Sequence, residues 1–140
     1  MRYWPQSTAD EVREAFDFLV DLHGYRLIVC STGMGGTVAY RSELLWISLE
    51  WDRSAPWLEV APSRSGIQAF GQATLAWLLS GADFDQFRGE SARFASLEEL
   101  ATFVRENLHA TEALFRGPQR DISLARLAVL RGDRAPRLRA

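Results

Sequence analysis

Lysine is absent from this chain of 140 residues, and all 16 of its basic residues are arginine. That bias fits a high-GC bacterial or phage genome, in which arginine codons displace lysine codons. It also removes the lysine that a phosphate-binding loop places at its end. Cysteine is nearly absent too. With Cys30 alone, no intramolecular disulfide forms, and nothing points to a secreted, disulfide-stapled domain. Long apolar runs are missing: Ala69–Leu79 is broken by Gln72 and Thr74, well short of the roughly 20 apolar residues of a membrane span. The opening Met1-Arg2-Tyr3-Trp4-Pro5-Gln6 lacks the apolar stretch of a signal peptide. The expectation is a cytoplasmic protein with no membrane contact.

Motifs that carry chemistry are equally scarce. His23, His109 and Cys30 are the available soft metal ligands, and no two of them share a ligand spacing. Asp83-x-Asp85 lacks the glycine and further oxygens of a calcium loop. No Gly-x-Ser-x-Gly elbow occurs, and Cys30, in the middle of an apolar strand, is expected to be buried as a small hydrophobe. Gly33-Met34-Gly35-Gly36-Thr37 leads into a strand rather than a helix, so it reads as a hairpin connection. The sequence therefore predicts no catalytic residue, no metal and no cofactor.

What is present is the composition of an ordinary globular domain, 47% hydrophobic and 24% charged. The length suits a single domain over residues 1–131, followed by a basic tail over 132–140. Charge divides unevenly. Residues 1–112 carry 9 Arg against 16 Asp and Glu, a net of −7, whereas residues 113–140 carry 7 Arg against 2 Asp, a net of +5. An acidic body with a basic end makes nucleic acid an unfavoured partner, although Arg116, Arg120, Arg126, Arg131, Arg134, Arg137 and Arg139 could touch phosphates.

Periodicity predicts an α+β fold: an N-terminal helix, an antiparallel meander of about four strands, then C-terminal helices. Thr8-Ala9-Asp10-Glu11 has the form of a capping box, and Val12, Phe16, Leu19 and Val20 follow at helical spacing up to Gly24. Strands are expected over residues 25–31, 37–41, 44–52 and 57–61. A turn centred on Ser42-Glu43 would set Tyr40 opposite Leu45 and Val38 opposite Ile47. A turn over residues 53–56 would set Trp51 opposite Leu58 and Leu49 opposite Val60. Downstream, Ile67, Phe70, Thr74, Trp77 and Leu78 fit one helix face ending at Ser80-Gly81. Ser96-Leu97-Glu98-Glu99 caps a long helix running to Phe115, and Asp121–Arg131 forms a shorter one. The core should contain Val12, Phe16, Leu19, Tyr40, Ile47, Leu49 and Val60.

In this register the reverse face of the sheet gathers Trp46, Trp57, Glu50, Asp52 and Glu59, with Arg41 near them and Glu50 directly opposite Glu59. Three readings compete. The face is a partner-binding surface; or its carboxylates serve a small enzyme; or C-terminal helices cover it and bury both tryptophans. The helix Phe18-Leu19-Val20-Asp21-Leu22-His23-Gly24-Tyr25, the strands Val38-Ala39-Tyr40-Arg41-Ser42 and Leu45-Trp46-Ile47-Ser48-Leu49-Glu50-Trp51-Asp52, and the acidic body together resemble small bacterial immunity proteins of polymorphic or contact-dependent toxin systems. The resemblance covers residues 8–62 and brings no site residue with it. It implies a non-catalytic protein that occludes a cationic toxin domain, with Trp46 and Trp57 as anchors and Glu50, Asp52 and Glu59 steering the encounter. The alternatives are a small enzyme, and a self-associating, homodimeric or phage-encoded structural module whose basic tail contacts nucleic acid.

Overall fold

A computed structural model describes residues 8–32, 35–52, 56–63, 69–81 and 96–130. The fold is α+β, with helices before and after a five-stranded antiparallel sheet of meander order β1-β2-β3-β4-β5. The strands are β1 (Arg26–Thr32), β2 (Gly36–Arg41), β3 (Leu45–Trp51), β4 (Trp57–Pro62) and β5 (Phe70–Gly71). The helices are α1 (Thr8–Phe16), α2 (Phe18–His23), α3 (Gln72–Ser80), α4 (Leu97–Leu114) and α5 (Pro118–Leu130).

Each helix is set by a local signal. Val12, Phe16 and Leu19 line one side of α1 and α2 and are all fully buried. Asp17 breaks the pair: it pairs with Arg13 at 3.7 Å and accepts the Tyr40 hydroxyl at 3.0 Å, fastening the junction to the sheet. Gly24 follows α2 with φ 73°, the left-handed conformation that glycine adopts without penalty. The side chain of Thr8, the expected first cap, lies outside the described residues. Ser96 does cap α4, its Oγ accepting the Glu99 N–H at 3.1 Å. Leu100, Val104 and Leu108 then carry the buried stripe of α4.

All five described helices contribute to one hydrophobic cluster with a single face of the sheet, formed by Val38, Tyr40, Leu45, Ile47, Leu49, Trp51, Leu58 and Val60. All seven expected core residues are buried. Two registers differ from expectation by two residues. Tyr40 faces Ile47 and Val38 faces Leu49, while Leu49 faces Leu58 and Ile47 faces Val60. The cause at the first turn is Ser42, whose Oγ accepts the N–H groups of both Leu44 and Leu45 at 3.2 Å. Ser42 N–H also donates to the Leu45 carbonyl, so the turn is centred on Glu43-Leu44. Since side chains alternate with period two, the shift leaves every residue on its expected face.

Three further expectations need correction. Phe70 belongs to β5, opposite Val60, and α3 begins only at Gln72; Ile67 lies outside the described residues. Helix α5 begins at Pro118, whose fixed φ and missing N–H suit a first helical turn, rather than at Asp121. Cys30 is exposed, not buried, and β1 is an edge strand of the sheet. The carboxy-terminal tail from residue 131 onward lies outside the described residues.

Candidate functional site

The face of the sheet turned away from the helices is built in rows across the strands. Thr37, Glu50 and Trp57 form one row; Ala39, Ser48, Glu59 and Gly71 the next; Arg41, Trp46 and Ala61 the third. Trp46 and Trp57 are half-buried, and among the described residues neither belongs to the hydrophobic cluster on the other face. Ala39 and Ser48, in the middle row, are buried.

Glu50 is not opposite Glu59, as the expected turn implied; it faces Trp57, and Glu59 faces Ser48. The two glutamates are nevertheless diagonal neighbours on one face, within reach of each other. Burial raises the pKa of Glu50, and the Glu59 carboxylate and a hydrogen bond to it raise it further; a hydrogen bond to Ser48 acts the other way. Glu59 is also held by the Trp57 indole, whose Nε1–H donates to its Oε2 at 3.1 Å. Glu50, Trp57 and Glu59 thus form one unit. Among the described residues neither glutamate has an arginine partner within 4.0 Å.

The remaining expected members stand apart. Trp46 lies four residues from Glu50 along β3, about 13 Å at strand rise. Asp52 is exposed just beyond the end of β3 and is engaged in an interaction of its own. Arg41, expected near the carboxylates, sits opposite Trp46 and Arg26 at the far end of the face.

Among the described residues, two cavities lie elsewhere. One, of about 550 Å³, is lined by Gly24, Arg26, Arg41, Ser42, Glu43, Leu44 and Glu112. The other, of about 400 Å³, runs along the first turns of α4. Neither includes Glu50, Asp52 or Glu59. Among the described residues no group of three or more His, Cys, Asp or Glu side chains is arranged to hold a metal ion.

Sequence reasoning overlooked a polar cluster beside the first cavity. The Tyr25 hydroxyl donates to Glu112 Oε2 at 2.7 Å, and His109 approaches Oε1 of the same carboxylate at 3.9 Å. Burial is the main cause that raises the pKa of both Tyr25 and Tyr40, so both hydroxyls remain protonated donors. Tyr25 and Glu112 are 87 residues apart, and no spacing rule links them. Arg126, grouped by sequence with the basic end, stacks on Trp77 at 4.3 Å and donates to the Leu78 carbonyl at 3.0 Å. It helps hold α5 on α3. No protein-family model, no curated protein and no solved structure matches the chain.

Proposed function

We propose that this protein is a non-catalytic binding module that covers a cationic protein partner with the sheet face bearing Trp46, Glu50, Asp52, Trp57 and Glu59. The observation that carries the reading is the Glu50–Glu59 pair. The two carboxyls are diagonal neighbours on a sheet face, where burial first and the Glu59 carboxylate second raise the pKa of Glu50, and among the described residues neither has an arginine within 4.0 Å. Such an arrangement is a cost to the isolated protein. An incoming arginine or lysine relieves it, so part of the repulsion is returned as binding free energy. Trp57, hydrogen-bonded to Glu59, supplies large apolar area next to that charge, and Trp46 adds more further along the same face; tryptophan is enriched at interface hot spots. Acid–base catalysis by the same pair would need a cleft around it, and the two cavities found among the described residues are lined by other residues. The narrower form, an immunity protein that occludes a basic toxin domain, rests on the sequence resemblance together with this acidic face.

The test is co-expression with the product of the adjoining reading frame, followed by calorimetric titration of the purified pair. Glu50→Arg should slow association, with an effect that shrinks as salt rises. A complex whose Kd ignores substitutions at Glu50, Glu59 and both tryptophans, or no complex at all, overturns the proposal.

A further inference from the structure

Arg26 and Arg41 stand directly opposite each other across β1 and β2, and both are exposed. Like charges at directly paired positions repel. Among the described residues neither guanidinium has a carboxylate within 4.0 Å. Both line the cavity of about 550 Å³ where the start of β1, the β2–β3 turn and α4 meet, a volume within the range of small-ligand sites. The other polar walls are Ser42, Glu43 and Glu112. Glu112 is committed to the Tyr25 hydroxyl and lies beside His109, while Glu43 is exposed at the tip of the turn.

We infer that this cavity is a binding site for a small oxyanion, with the Arg26 and Arg41 guanidiniums as its recognition groups. Each guanidinium presents a planar fork that matches two oxygens of a phosphate or carboxylate. One anion between the two forks turns their repulsion into two attractions. Glu43 and Glu112 bring negative charge to the same cavity, which limits its attraction for a polyanion such as a nucleic acid and leaves a compact anionic group as the best fit. The rigid frame is already in place: paired strands carry both arginines, and Tyr25 fixes Glu112. The site does not depend on the Glu50–Glu59 surface, so either assignment can fail alone.

The experiment is a titration of the full chain, followed by amide and guanidinium NMR shifts, with inorganic phosphate in one arm and acetate in the other. Sodium chloride holds ionic strength constant in both. Saturable shifts confined to residues around Arg26, Arg41 and Ser42, weakened at least tenfold by Arg41→Gln and by Arg26→Gln, establish the site. Saturation by phosphate alone assigns a phosphoryl ligand, and saturation by acetate alone assigns a carboxylate. Glu50→Gln should leave either titration unchanged. Linear, non-saturating shifts in both arms up to tens of millimolar overturn the assignment. So does saturation that survives both arginine substitutions.

Discussion

Ile47 lies between Tyr40 and Val60 in the central strand and is 2% exposed. Its truncation to alanine removes three carbons from a packed layer, and Ile47→Ala should cost about 2–5 kcal/mol in chemical denaturation. A midpoint unchanged by the substitution would contradict the core assignment. Glu50 should behave in the opposite way. Its carboxyl titrates above the ordinary value of 4.5 in the folded chain, so the folded state binds the proton more tightly than the unfolded state. Below the ordinary value both states are protonated and no penalty exists. As pH rises from there through the raised value, stability is lost, and it stays lower at neutral pH. Glu50→Gln should therefore raise the melting temperature at pH 7, and the gain should vanish near about pH 4. Equal melting temperatures at both pH values would mean that the pair carries no strain.

Among the elements, the β1–β2 connection depends on a close approach. The Trp51 ring lies so near Gly36 that an added methyl would meet its Cε2 at 2.6 Å and the Ser31 carbonyl at 2.7 Å. Gly36→Ala must push the indole or the strand aside and should cost about 1–3 kcal/mol, as overpacking does. Helix α4 depends on its start: Ser96→Ala removes the acceptor for the Glu99 N–H and should cost about 1 kcal/mol, measurable as a shift in denaturation midpoint. These elements also mark what could be read from sequence. Alternation in Val38-Tyr40, Ile47-Leu49-Trp51 and Leu58-Val60 was enough to assign the buried face, because a whole face must be apolar to cover a core. The registers were not readable, since the Ser42 side chain decides where the turn is centred and a one-residue change moves every pair. Strand β5, two residues long, carries no period at all. The facing of Arg26 and Arg41 was hidden for a related reason: an irregularity between Leu27 and Val29 shifts the pairing within β1. Of the candidate site, Trp46, Trp57, Glu50 and Glu59 were placed on one face by parity alone, but the contact between the glutamates needed the true register.

At the scale of the whole molecule, the described helices pack on one side of the sheet and the charged, aromatic groups are divided along the other. Arg41 and Trp46 occupy one end, Glu50 and Trp57 the opposite end, and Glu59 the row between them. A surface polarised in this way fixes the orientation of a docked partner as well as its approach. Trp46 separates a folding role from a binding role. It is half-buried and, among the described residues, stands outside the hydrophobic cluster that holds the domain together. Trp46→Ala should therefore lower stability by no more than about 1.5 kcal/mol, the range of a partly buried surface side chain. The same substitution should weaken the partner complex by about 2 kcal/mol or more, near thirtyfold in Kd, if the indole is an anchor. Denaturation midpoint and calorimetric Kd, measured on one preparation, read the two effects separately. A drop of about 3–5 kcal/mol in stability would identify Trp46 as a core residue and remove the reason for treating this face as a binding surface. Intact folding with an unchanged Kd would instead keep the face open but shift the anchor to Trp57, whose indole is tied to Glu59 and so senses the same cation.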